Sequence, residues 1–365
     1  MNLEGELLIR VHSDAGRVAR AELSSTRLHL ASRVLHGRTP TEAVGAVSRL
    51  YSICGKAQGV AAAMACDAAM GRAPDEERID AHRRRVGAES ASEGLWRALI
   101  DWPEMLGGAP QTRAFKEARN AIDAVTNAAS GEARAAVADV LAREVFGVPV
   151  SRWNELATPG ELASWAASSH TAAAALITDI GQRNARFGAS AVGLMPAMTG
   201  DMIEHDLAPV ISGDPAYARM PRWQGAVVET GSLARMRAHP LVAAVVERFG
   251  RSALARLVAR LAELCAFAGG ALPAIGSRPL GDERGIAWVE TSRGLLVHQV
   301  ALEGDRIRDY RIVAPTEWNF HPEGALVRGI EGASFDDESS LRRGVKLLVQ
   351  SLDPCVAWNL ELDHA

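Results

Sequence analysis

Leu50-Tyr-Ser-Ile-Cys-Gly-Lys-Ala-Gln-Gly59 (LYSICGKAQG) and Leu352-Asp-Pro-Cys-Val-Ala-Trp358 (LDPCVAW) each hold one cysteine where a second, three residues on, would complete a C-x-x-C metal clip. Cys54 follows a helical pattern and precedes a glycine, and Cys355 follows a helical pattern and a proline. At such turns backbone N–H groups stabilise a thiolate. Thiolates are good ligands for iron, nickel, copper(I) or zinc. The other reading of these residues, a buried structural cysteine, stays open, because free cysteine is among the most buried residue types.

Outward from the two cysteines the chain reads as mostly helix. Thr39-Pro40-Thr41-Glu42 has the form of a capping box with proline at the first helical position, and it starts a helix that runs toward Leu50 and delivers the chain to Cys54. The small apolar run GVAAAMACDAAM predicts a second, closely packing helix. Helical patterns fill Ala91 to Glu263, with a capping box at Thr158-Pro159-Gly160-Glu161 and breaks that include Trp102-Pro103. A final helix over 341–352 leads into Asp353-Pro354-Cys355. Two hairpins complete the reading: one over 6–23 around Asp14-Ala15-Gly16, and one over 294–313 around Glu303-Gly304-Asp305. The expectation is a single unit over 1–365, mainly α with small peripheral β-hairpins around a helical body spanning 40–265.

Composition narrows the function. The net charge of -4 shows none of the basic excess that phosphate contacts demand, which excludes a nucleic-acid partner. The N-terminal MNLEGELLIRVHSDAGR has no long apolar run, so neither a secretory signal nor a membrane span is expected, and the cytoplasm is the expected compartment. Four cysteines in 365 residues are too few for a disulfide framework. Cys66 and Cys265 lie in apolar helical contexts and read as core. The histidines form no ligand array, and His298 and His321 read as structural. No phosphate loop, dinucleotide fingerprint or nucleophile elbow occurs. Arg293, in Glu290-Thr-Ser-Arg-Gly294, is either the partner of Glu290 in a surface ion pair or a forked donor to an anionic ligand.

Six segments in order resemble the large subunit of nickel-iron hydrogenases. They are Leu3-Glu4-Gly5-Glu6-Leu7; Gly37-Arg38-Thr39-Pro40 with Ser52-Ile53-Cys54-Gly55; Glu229-Thr-Gly-Ser-Leu-Ala-Arg235; Glu290-Thr-Ser-Arg-Gly294; Pro315-Thr-Glu-Trp-Asn319; and Asp353-Pro354-Cys355. The resemblance implies that family's fold. In the family each cysteine pair binds nickel through its first member and bridges nickel to iron through its second. Here the first members survive as Cys54 and Cys355, whereas the second positions hold Ala57 and Trp358, and the histidines that follow each pair fall at Ala61 and Glu361.

These departures imply a chain that does not turn over hydrogen, and they are similar to those of the accessory HupK/HoxV-type maturation proteins. That resemblance implies a non-catalytic scaffold on which iron carrying two cyanides and one carbon monoxide is held transiently, without nickel, before transfer to the hydrogenase large-subunit precursor. Other maturation factors are the expected partners. Cys54 and Cys355 would be the metal ligands, Arg293 would contact a cyanide, and Glu4 resembles a relay glutamate near the first pair. Only Leu362 to Ala365 follow Glu361, so the family's proteolytic C-terminal maturation is expected to be absent. Two rival expectations are a metal-free interaction module, or chaperone, for hydrogenase subunits and a redox protein using the two cysteines as a dithiol.

Overall fold

The computed structural model describes residues 5–27, 31–51, 53–127 and 131–364. Glu4 and Ser52, which belong to the motifs above, lie outside the described residues.

Strands β1 (Glu6–Asp14) and β2 (Arg17–Ser25) form the expected N-terminal hairpin, antiparallel across the Ala15-Gly16 turn. Helix α1 (Pro40–Leu50) opens on the expected capping box: Thr39 Oγ1 accepts from Glu42 N at 3.4 Å while Glu42 Oε2 accepts from Thr39 N at 2.8 Å. Helix α2 (Gly55–Ala69) follows Cys54 directly, and α3 (Glu76–Trp96) returns alongside it. The second capping box starts α4 (Pro159–Ser168) as predicted. Helix α5 (Ala253–Ala268) is buried around most of its circumference, which marks it as the central helix of the body.

The Trp102-Pro103 dipeptide does not break the chain as expected. A π-helical segment over Arg97–Asp101 runs straight into a short helix, Trp102–Met105, with Pro103 in its first turn, where a missing N–H is tolerated.

Four antiparallel strands follow in order: β3 (Ile275–Gly281), β4 (Arg284–Thr291), β5 (Gly294–Glu303) and β6 (Arg306–Val313). The expected hairpin over 294–313 is thus β5 and β6, and it is not peripheral. One face of the sheet, with Ala287, Val289, Leu296 and Val300, packs on α2, while the other, with Ile286, Trp288, Leu295 and Val297, packs on residues around Ile203 and Leu207. A strand covered on both faces needs apolar residues at successive positions, which is why Leu295-Leu-Val reads as a continuous run.

Helix α6 (Pro315–Asn319) leaves the sheet, and α7 (Glu338–Leu352), capped by Asp337, begins three residues before the expected start. Beyond Cys355 the chain forms β7 (Ala357–His364), which pairs in parallel with β1. That strand brings the two ends of the described chain into one three-stranded sheet, β2-β1-β7. Among the described residues no helix is long and apolar enough to cross a membrane.

Candidate functional site

Two helix ends meet at the site. Cys54 is the residue before α2, and the first amides of that helix, Lys56 N and Ala57 N, donate to the two oxygens of Glu89 on α3 at 2.8 and 2.9 Å. A carboxylate at a helix N-terminus satisfies otherwise orphaned donors, so Glu89 fixes where Cys54 stands. Gly55 is needed there because a Cβ would lie 2.7 Å from Ser48 O of α1.

At the other end, α7 terminates on Asp353 with φ 58°, in the left-handed region that an aspartate adopts more readily than most residues. Its side chain is fully buried. Arg260 Nη1 donates to Asp353 Oδ2 at 2.9 Å, Arg97 Nε and Nη2 donate to Oδ1 at 3.1 and 2.5 Å, and Arg293 Nη2 stands 3.5 Å from Oδ1. Burial opposes this charge, but Arg293, Arg97 and Arg260 outweigh it and hold the carboxyl well below the usual carboxylate range. Asp353 thereby anchors the turn that presents Cys355.

The structure brings Cys54, Cys355 and Arg293 together. Burial, and then the neighbouring Cys355, push the Cys54 thiol well above its ordinary range against the pull of Arg293. Arg293 lies in the β4–β5 turn, 3% exposed, and pairs with Glu93 of α3. Its Nε has no hydrogen-bond partner among the described residues. The surface pair of Glu290 with Arg293 does not form: both are buried, and Glu290 accepts instead from Arg235 at 2.7 Å.

Residues that the sequence left unassigned complete the surroundings. Thr316 Oγ1 of α6 lies 3.0 Å from Cys355 Sγ. Gln58, one turn into α2, directs Nε2 at Cys54 Sγ (3.8 Å), and its Oε1 meets His298 Nε2 at 2.9 Å, whose Nδ1 meets the Tyr310 hydroxyl at 2.8 Å. If Gln58 donates to the sulfur, its oxygen must accept, so His298 carries its proton on Nε2 and Tyr310 donates to Nδ1. Burial lowers His298 to about 3, so it is a neutral, satisfied core histidine as expected. Arg27 and Tyr51 also lie within electrostatic reach of both sulfurs. Gln58 at one turn from Cys54 was a readable signal, whereas Arg27 and Tyr51 carried none. Cys66 and Cys265 are buried in the core as expected, and burial pushes Cys66 up to about 12.

A family model described as nickel-dependent hydrogenase matches residues 241–359. Hydrogenase expression/formation protein HoxV of Cupriavidus necator is 35% identical over 363 residues, covering 93% of this chain and 92% of that protein. The chain belongs to the HoxV/HupK family of hydrogenase expression/formation proteins. Its relatives include HupK of Rhizobium leguminosarum bv. viciae, 30% identical over 92% of this chain and 90% of that protein. In fold it is similar to the Ni-Fe-Se hydrogenase from D. vulgaris Hildenborough, with a TM-score of 0.58 at 20% identity and 97% of each chain covered. The [NiFeSe]-hydrogenase of Dm. baculatum gives 0.56 at 19% identity, again over 97% of each chain. The fold is that of a hydrogenase large subunit, mainly helical with small sheets.

The positions that the sequence resemblance assigns to second cysteines hold other residues in this HoxV/HupK-family chain. Ala57 is fully buried in the first turn of α2, and Trp358 sits in β7 with its ring against the apolar core. Ala61 is buried, and Glu361 is committed at the surface to Arg10 at 2.6 Å. Cys54 and Cys355 are free cysteines. Among the described residues no group of three or more Cys, His, Asp or Glu side chains could hold a metal ion.

Proposed function

We propose that this chain is a cytoplasmic, non-catalytic scaffold in hydrogenase maturation, holding iron with two cyanides and one carbon monoxide through Cys54 and Cys355 before its transfer to the hydrogenase large-subunit precursor. The iron fragment is cargo, not a resident cofactor. The observation that carries this reading is the meeting of two free thiols from opposite ends of the chain beside two buried arginines, in a site where the described protein ligands stop at two. A bare divalent ion would want four or more ligands. An iron that arrives with three diatomic ligands needs only one or two from the protein, and such a small set favours later release. The printed names of the relatives support a maturation role, and the lack of a ligand atom at Ala57 and Trp358 supports a non-catalytic one.

The surroundings suit an anionic cargo. Arg293 stays charged, since burial alone would disfavour the charge but Asp353 and Glu93 favour it. Its partnerless Nε is a donor for a cyanide nitrogen. Transfer partners, the large-subunit precursor and other maturation factors, belong to the same proposal.

The metal-free interaction module is favoured by one observation: among the described residues no group of three or more Cys, His, Asp or Glu side chains could hold a metal ion. Infrared spectroscopy separates the two readings. Protein purified without oxygen from cells making the other maturation factors should show cyanide and carbonyl bands with iron and without nickel, and Cys54→Ala or Cys355→Ala should lose both bands and iron while remaining folded. A silent, metal-free protein that still binds maturation partners would refute the scaffold and establish the interaction module.

A further inference from the structure

A cavity of about 180 Å³ is lined by Arg27, Ser32, Tyr51, Asp309, Arg311 and Glu317 among others. Asp309 is satisfied there: Ser32 Oγ donates to it at 2.7 Å and Arg311 Nε at 2.8 Å. Arg27 is not. Its side chain is 9% exposed, and Nη1 stands 2.8 Å from Glu317 Oε1, yet the N–H bonds of Nη1 are aligned on no acceptor among the described residues. Glu317 Oε2 has no donor either. Burial raises the Glu317 carboxyl against the pull of Arg27, and the two form a buried ion pair in which the Nη1 N–H bonds stay unaligned on any described acceptor.

A buried polar group left without its hydrogen bond costs about 1–3 kcal/mol, more when charged, and in native structures such an atom marks a place for water or an ion. A guanidinium selects an anion, since it offers only donors and stays charged. Tyr51 lines the same cavity, and burial keeps its hydroxyl protonated. Arg27 and Tyr51 are each in electrostatic reach of both Cys54 and Cys355, although neither cysteine lines the cavity. Arg293 Nη2 faces Glu93 and Asp353, which leaves Nε as the partnerless donor of that guanidinium among the described residues.

We infer that this cavity is a binding site for a small monovalent anion of the azide or cyanide type, held by Arg27 Nη1 on the wall shared with Tyr51. The site stands on its own geometry; only the identity of its occupant as a ligand borne by a thiol-held metal rests on the scaffold reading above.

The test uses metal-free, full-length protein and sodium azide, whose infrared stretch moves on binding. Wild type should show a saturable bound-azide band. Arg27→Gln should weaken it at least tenfold, and the double variant Arg27→Gln with Glu317→Gln, which leaves no unpaired buried charge, should weaken it equally and guard against misfolding. The Cys54→Ala and Cys355→Ala proteins should keep the band. Absence of a bound band on wild type, as for a cavity that takes only water, or equal binding by the folded double variant, overturns the inference. Loss of the Arg27-dependent band when either cysteine is replaced would overturn it too, by assigning the azide to the sulfurs. Azide binding in a protein that never carries iron bands would sink the scaffold reading and leave the anion site standing.

Discussion

Replacing Asp353 by asparagine isolates the charge that holds the C-terminal cysteine in place. Asparagine is nearly the same shape and accepts φ near 58°, so neither a cavity nor backbone strain is introduced. What is lost is one carboxylate facing Arg97, Arg260 and Arg293, with its side chain fully buried. Removing one partner of a buried ion pair costs about 3–5 kcal/mol, because the opposite charges remain buried and uncompensated. The exposed pair of Arg10 with Glu361 offers a control at a comparable separation of 2.6 Å, and Glu361→Gln should leave the urea midpoint close to that of wild type, because water already solvates both groups. The Asp353 carboxyl is held well below the ordinary aspartate value, so its contribution is fully present above that value and is lost only as pH falls through the folded one. Urea unfolding at pH 7 and at pH 5 should therefore return the same Asp353→Asn deficit. A variant within about 1 kcal/mol of wild type would refute the view that burial makes this carboxylate indispensable.

Two further outcomes follow from the packing around the thiols. Gly285→Ala would place a Cβ 2.3 Å from Ala69 N and 2.4 Å from Ala65 O, backbone atoms that cannot turn aside, and should lower the unfolding free energy by roughly 2 kcal/mol or more; a variant as stable as wild type would contradict the close approach of α2 to β4. His298 is held at about 3 by burial, so below its ordinary value the unfolded chain takes a proton that the folded chain refuses, and stability falls as the medium is acidified. Between pH 7 and pH 5 wild type should lose about 2 kcal/mol more than His298→Gln does, read from urea midpoints at the two pH values; equal losses would mean that His298 takes up its proton in the fold.

The features legible in the sequence were those written in neighbouring residues. Thr39 with Glu42 and Thr158 with Glu161 announce helix starts because a capping box closes within one turn. Ala15-Gly16 announces a hairpin because the turn needs positive φ. The alternation of Trp358, Leu360 and Leu362 with Asn359, Glu361 and Asp363 was a readable strand signal that the sequence reading did not use. Asp353-Pro354-Cys355 and Cys54-Gly55 marked both cysteines as turn residues without showing that the turns meet.

What the sequence by itself determined was the mainly helical class, the starts of the two helices with capping boxes, the hairpins over 6–23 and 294–313, and which cysteines stand at element ends and which in apolar helices. Each of these depends on contacts only a few residues apart, whose partners can be named from spacing alone. The tertiary structure decided the rest: the parallel pairing of β1 with β7 that joins the two ends of the described chain, the burial of the four-stranded sheet on both faces, the placing of Arg293 against Glu93 and Asp353 instead of Glu290, and the convergence of Arg27 and Tyr51 on the sulfurs. Those contacts join residues far apart in the chain, where no local period or cap records the partner, and only the burial of apolar faces selects them.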